Sequence, residues 1–374
     1  MKRMRVAITS AGAVTAHGAG VPALEAALRD ARTAVRPVSR FDTTGLCSSV
    51  AAESPVETTG DRAAALLDLA ANEALAGWSL QPSARRGVMI GTTKGQLQDV
   101  LGGQTDDPFA TLCARFARRV GALGPVRTLG AACASSSAAL GEAYDALHFG
   151  QVDEVIVAGV EALHRFVYAG FHALKALSPE PARPFDGERK GLSMGEAAVV
   201  FVLEPEERAR AAGRNVLAYL DGWGLAMDAH DQTAPHPKGA GLQSACRHAL
   251  KLAGWEPSKL GRYHAHGTAT PHNDRMESAA CEGLFGPRGI PLTSAKGSVG
   301  HTLGAAGALD TLICALALKR RELWAVTGLK NVDAALTVAA VQERRSYEPP
   351  TALVATAGFG GINTALAISA GDPA

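Results

Sequence analysis

The chain has 374 residues, enough for two average domains, and with 47% hydrophobic and 20% charged residues it has the profile of an ordinary globular protein. A formal net charge of +1 gives no basis for a nucleic-acid or membrane-surface binder, and no apolar run is long enough to span a bilayer. Six scattered cysteines (Cys47, Cys113, Cys133, Cys246, Cys281, Cys314) lack paired spacing, which argues against a disulfide framework or a zinc site and for a cytoplasmic protein with mostly buried thiols.

The basic start Met1-Lys2-Arg3-Met4-Arg5 precedes a short apolar stretch broken by Ser10, Gly12 and His17, so it reads as a first strand over 6–9 and not as a signal peptide. The pattern then predicts a helix over 61–75, a strand over 87–90, a helix over 135–148 and strands over 154–158 and 198–203. The charged stretch 204–214 is the expected join between two halves, 1–213 and 214–374. The second half continues with a strand over 216–220, a helix over 242–253, a short strand-like Arg262-Tyr263-His264 and a helix over 275–284 capped at Asn273 or Asp274. A strand over 290–294, a helix over 303–319 and strands over 354–356 and 365–369 complete it. This alternation is that of a layered α/β fold.

Two of the helices are poor in charge and crowded with small residues: Ala134-Ser135-Ser136-Ser137-Ala138-Ala139-Leu140-Gly141 after Cys133, and Leu303-Gly304-Ala305-Ala306-Gly307-Ala308-Leu309 after His301. Small side chains let a helix be packed closely on every side, so one such helix per half predicts a duplicated fold with two central helices back to back. Each brings a reactive residue to a helix N-terminus, where backbone N–H groups favour negative charge. A Cys133 thiolate placed there is a potential nucleophile. His266, in Ala265-His266-Gly267-Thr268-Ala269-Thr270-Pro271, and His301, closing Lys296-Gly297-Ser298-Val299-Gly300-His301, both sit where a strand hands over to a small-residue loop.

The combination resembles the β-ketoacyl synthases, in particular the elongating enzymes with a Cys-His-His site. The resemblance rests on Ala132-Cys133-Ala134-Ser135-Ser136, Arg183-Pro184-Phe185-Asp186 with Gly195-Glu196-Ala197, Thr233-Ala234-Pro235, the first histidine motif with Asn273-Asp274, Lys296 with His301-Thr302-Leu303-Gly304, and Gly358-Phe359-Gly360-Gly361-Ile362-Asn363. It implies a thiolase-like duplicated five-layer α/β/α/β/α fold, with the nucleophile in the first half and both histidines in the second. It also implies an acyltransferase that loads an acyl group on Cys133 and condenses it, with decarboxylation, with malonyl-acyl carrier protein, extending a fatty-acid, polyketide or polyene chain by two carbons. By the same resemblance the N–H groups of Cys133 and Phe359 form an oxyanion hole, and His266 and His301 stabilise the enolate. Lys296 acts electrostatically, Glu277 orders the loop, Thr268 and Thr270 bind the pantetheine arm, Gly358 and Gly360 belong to the substrate-binding set, and Phe359 gates the acyl pocket. The implied partners are a phosphopantetheine-bearing acyl carrier protein and a second ketosynthase-like subunit, in a homodimer or heterodimer; no cofactor, metal, nucleic acid or membrane is implied.

The sequence departs from the family pattern at Ala269, Gly297 and Ile362, and in a shortened segment between Gly95 and Cys133. Arg115, Arg118 and Arg119 fall on one helix face and form an expected basic rim for an acidic carrier. The competing reading is a non-catalytic chain-length-factor-like subunit, against which the retained Cys133, His266, Lys296 and His301 argue.

Overall fold

The computed structural model describes residues 4–78, 83 and 85–372; the basic start at Met1 to Arg3 lies outside them. Ten strands build the frame: β1 Val6–Thr15, β2 Arg86–Gly91, β3 Val126–Leu129, β4 Glu154–Glu161 and β5 Ala197–Pro205, then β6 Ala218–Met227, β7 Arg262–His264, β8 Pro291–Thr293, β9 Thr351–Gly358 and β10 Ile362–Ala370. Their spatial order is β3-β2-β4-β5-β1 followed by β6-β10-β9-β7-β8, with the two-residue strand Ala339–Ala340 beyond β8. Each half repeats one pattern. The inner pairs β1/β5 and β5/β4 are antiparallel and β4/β2 and β2/β3 parallel, and β6/β10, β10/β9, β9/β7 and β7/β8 follow the same sequence. The halves join where Val6 to Ile8 pair with Leu220 to Ala218.

The central strands read as they do because both faces are covered. β4 is buried at all eight positions and β5 from Ala197 through Glu204, so neither alternates, and both are nearly continuous runs of Val, Ala, Ile, Phe and Leu. Outside the first sheet lies α1 (Arg62–Ala74), whose first turn is capped by the Asp61 carboxylate accepting from Ala64 N–H. Next in the chain come α2 (Pro108–Arg119), the central α3 (Ser135–His148) and α4 (Arg165–Ala173). The second half contributes α5 (Ala240–Ala253) outside its sheet, α6 (Pro271–Phe285) and the central α7 (Ala306–Lys319).

The two small-residue helices do pack back to back, and the small residues are required. A Cβ on Gly307 would lie 1.9 Å from Ser137 Oγ, and Ser136 Oγ accepts from Ala308 N–H at 2.9 Å. α7 is buried from Ala306 through Leu318 and sits with α3 between the two sheets, which gives the five layers. One boundary differs from expectation. α6 begins at Pro271 with Thr270 as its N-cap, because proline suits the first helical position; Asn273 and Asp274 lie inside the first turn and serve tertiary contacts instead. All six cysteines are free thiols, five buried and Cys47 exposed. No helix among the described residues is long and apolar enough to cross a membrane.

Candidate active site

Cys133, His266 and His301 come from three loops at the C-terminal ends of β3, β7 and β8, the side of a parallel strand set where α/β folds hold their ligands. Cys133 lies two residues before α3, on a backbone held in the left-handed region at Ala132 (φ 48°). Such strain persists only where the surroundings impose it. The convergence is tight. His301 Nε2 lies 3.0 Å from Cys133 Sγ, the two imidazoles meet edge to face with centroids 4.9 Å apart, and all three donor atoms lie within 4.8 Å of one another.

All three side chains are buried. Burial pushes the Cys133 thiol up to about 12, opposed by the Lys296 ammonium and by the Phe359 backbone N–H, with Glu161 adding to the rise. Burial and Lys296 also hold His301 down to about 3 and His266 well below its ordinary value. The resting site therefore holds a neutral thiol and two neutral imidazoles, with the α3 N-terminus and the Phe359 N–H placed to take up charge on sulfur as it develops. Nδ1 of each histidine is buried with no hydrogen-bond partner among the described residues. A buried N–H left unpaired costs more than a bare ring nitrogen, so this assigns the proton to Nε2 in both rings and makes each a donor toward the cavity. A sulfur and two imidazoles could also offer ligands to a thiophilic cation, but the Lys296 charge that depresses both imidazoles opposes a second positive charge there.

The other expected residues fall around this trio. Glu277, on α6, accepts from the backbone N–H of His266 at 2.7 Å and of Gly267 at 2.6 Å, and from Asn273 Nδ2 at 2.9 Å. It thus fastens the loop without reaching the cavity; burial raises its carboxyl to about 7, against the pull of those donors. Lys296 is buried too, its Nζ 2.9 Å from Asp310 Oδ2. Thr268 and Thr270 share a hydroxyl–hydroxyl hydrogen bond of 2.9 Å and line a cavity of about 330 Å³ together with Cys133, both histidines, Gly358 and Phe359. Phe359 stacks on Phe171 of α4 with centroids 5.7 Å apart. Gly360 adopts φ 82°, and its N–H donates to Gln232 O, which pins the loop across the cavity mouth.

One departure from the family pattern has a local cause: a Cβ on Gly297 would sit 1.9 Å from Thr327 O, so serine does not fit. Ala269 occupies φ 66°, a conformation that favours glycine, and nothing in the structure explains the alanine. The arginine rim is a correction. Arg115 binds Asp68 at 2.7 Å and Arg119 binds Asn72 Oδ1 at 2.5 Å, so both tie α2 to α1, and none of the three arginines lines the cavity. The exposed cations that do line it are Lys175 and Lys190. Sequence reasoning also missed Asp310 and Phe171. Asp310 had a legible signal, a lone charge inside the apolar α7; Phe171 had none.

The fold and this site define a condensing enzyme. The models of the β-ketoacyl synthase N-terminal and C-terminal domains match residues 57–209 and 217–330, and the chain belongs to this family. It is 32% identical to the putative polyketide β-ketoacyl synthase 1 of Streptomyces cyaneus, with 98% of each chain covered. It is also 32% identical to the 3-oxoacyl-acyl-carrier-protein synthase 2 of Rhizobium meliloti, covering 97% of this chain and 98% of that one. The solved structure described as the ishigamide ketosynthase/chain length factor matches with a TM-score of 0.91 at 29% identity, covering 98% of this chain and 99% of that one. The chain is thus an acyltransferase of the β-ketoacyl synthase type with a thiolase-like fold.

Proposed function

We propose that the chain condenses an acyl group held on Cys133 with a malonyl group carried by an acyl carrier protein, releasing carbon dioxide and a product longer by two carbons. The observation that carries this is the contact of Cys133 Sγ with His301 Nε2 at 3.0 Å, with His266 beside it, all three lining a cavity of about 330 Å³. In the loading step the sulfur of Cys133 attacks the acyl thioester carbonyl. The N–H groups of Cys133 and Phe359 receive the developing oxyanion, and the thiol proton leaves with the pantetheine sulfur. Burial and the Lys296 charge lower the basicity of His301, and its part in the step is donation.

In the second step the malonyl thioester oxygen lies between His266 and His301. As the carboxylate leaves as carbon dioxide, the bonding pair moves into an enolate whose oxygen accepts both Nε2–H groups. The enolate carbon attacks the Cys133 thioester, and collapse of the tetrahedral adduct breaks the carbon–sulfur bond and expels the Cys133 thiolate, which takes a proton from solvent to return to the thiol. Thr268 and Thr270 hold the pantetheine arm, and Lys175 and Lys190 meet its phosphate or an acidic carrier at the mouth. We place the boundary between the halves at 213/214, in the turn that follows the short helix Glu206–Ala211, and the enzyme in the cytoplasm as a dimer with itself or a ketosynthase-like partner.

Incubation with acyl- and malonyl-carrier protein should give an acyl adduct on Cys133 by intact mass and a two-carbon-longer product. Cys133→Ala should give neither; chain extension by that variant would overturn the assignment.

A further inference from the structure

Glu277 fastens the loop of His266, and a second buried carboxylate, which none of the sequence motifs contains, meets the turn that follows His301. Glu161 is the last residue of β4, and its side chain is 1% exposed. Its Oε2 accepts from the backbone N–H of Thr93 and of Gly304, both at 2.9 Å, and from the Thr93 hydroxyl. Its Oε1 accepts from the Thr92 hydroxyl at 3.2 Å and lies 2.8 Å from Lys94 Nζ. One carboxylate thus joins three pieces of chain: the loop after β2, the end of β4 and the turn that leads from His301 into α7.

We infer that Glu161 is a positioning residue that acts through its hydrogen bond to Gly304, holding the turn 302–304 so that the His301 imidazole stays against Cys133. Upstream, the His301 peptide is fixed by its own N–H donating to Ser193 O at 2.7 Å and by its carbonyl accepting from Gly195 N–H at 3.0 Å. Downstream, the chain turns sharply. Leu303 sits at φ 47°, in the left-handed region, and a leucine stays there only where its surroundings impose it. A helical segment begins at Leu303, so the buried Gly304 N–H has no acceptor within its own helix and takes one from β4. The approach leaves no room for a side chain: a Cβ on Gly304 would lie 2.7 Å from Thr92 Cα and 2.8 Å from Glu161 Oε2. Leu303 packs in the apolar cluster that contains Cys133, so a shift of this turn is felt on both sides of the Sγ–Nε2 contact.

The hydrogen bonds, and not the charge, are what Glu161 contributes. At Cys133 its negative charge works against a thiolate, and the Lys94 ammonium paired with it works in the opposite direction. Reach and charge are separable by substitution. Aspartate keeps the carboxylate but is shorter by one methylene, so it cannot meet the loop after β2 and Gly304 at once. Glutamine keeps the reach and one acceptor oxygen. With that oxygen in the place of Oε2 it accepts from Thr93 and Gly304, and its amide N–H donates to the Thr92 hydroxyl oxygen. Combined with Lys94→Met, it leaves no buried charge without a partner.

The test reads position and rate separately, and its kinetic half rests on the proposed condensation. Crystal structures of wild type, Glu161→Asp and the double variant Glu161→Gln with Lys94→Met give the distance from His301 Nε2 to Cys133 Sγ. Carbon dioxide release from malonyl carrier and acylation of Cys133 are measured on the same proteins. Glu161→Asp should draw the His301 ring out of contact with Sγ and slow release about tenfold or more, with acylation within about twofold of wild type, because a misplaced donor costs rate in the step it serves. The double variant should keep the ring in place and release within about threefold of wild type. An unmoved ring in Glu161→Asp, equal losses of release and acylation in it, or release lost in the double variant would each overturn the inference. Should Glu161→Asp fail to fold, the double variant still decides: retained release supports the hydrogen bonds, and release lost while acylation persists assigns the role to the charge. Absence of release in wild type would count instead against the proposed function, and the ring positions would still decide what Glu161 does.

Discussion

Removing either site imidazole should separate loading from decarboxylation. His266→Ala and His301→Ala each delete one donor to the enolate oxygen, a loss of about 3–4 kcal/mol, or roughly 10²- to 10³-fold, by analogy with a single oxyanion-hole donor. Carbon dioxide release from malonyl carrier should fall by that factor while acylation of Cys133 persists; release at the wild-type rate in either variant would remove the role. The residues around them were legible to different degrees. Cys133, His266 and His301 stand at strand-to-loop corners that the sequence pattern marks, and Glu277 follows the motif by one helical turn. Glu161 and Gly304 are 143 positions apart and belong to different elements, so nothing local joins them. Ala269 was visible as a departure, and its backbone shows what that departure costs. At φ 66° an Ala carries a Cβ penalty that Gly lacks, so Ala269→Gly should raise unfolding stability by about 1 kcal/mol in a denaturant titration. An unchanged midpoint would mean the loop relaxes around the alanine at no cost.

The elements follow the same division between local and long-range information. The helix over 135–148 is found with the expected bounds because its small-residue run starts at a marked corner, and α1 is found because Asp61 is a good cap. α4 escaped notice because only Tyr168 of its nine residues is buried: Val167 and Phe171 are partly covered beside it and Phe166 faces solvent, so the core-facing stripe is short. β3 is four residues long, too short to carry a period. Arg115 and Arg119 do share a helix face, but what that face meets, α1, lies outside the reach of spacing. The carrier prediction therefore moves to the elements that do line the mouth. Lys175→Glu and Lys190→Glu should raise KM for the carrier substrate several-fold at low salt, with kcat little changed and the difference shrinking at high salt. A fall in kcat at unchanged KM would exclude docking there.

At the scale of the molecule, both ends of the strand order differ in how they are finished. Beyond β8 the sheet is closed off by Ala339–Ala340, while β3 has β2 as its one neighbour among the described residues and presents its outer edge unpaired. That edge is apolar as well as open: Leu123 and Val126 are 67% and 40% exposed, and Phe149, at the end of α3, is 71% exposed. An open edge with apolar neighbours is a template for another chain, and natural proteins cover such edges. A second ketosynthase-like subunit placed edge to edge through β3 would continue the sheet across both protomers and bury this patch, in an isologous pair if the partner is a second copy. Because β3 leads directly into the loop of Cys133, pairing there would also brace the nucleophile. Light scattering at micromolar concentration should give twice the chain mass for the protein alone, or a monomer that doubles on addition of its ketosynthase-like partner. Leu123→Lys with Val126→Lys places charge along the edge and should shift the protein to monomer, with loss of condensation exceeding any loss of thermal stability. A fully active monomer, in wild type or in this variant, would show that the edge is covered by something other than a partner subunit and that Cys133 needs no such brace.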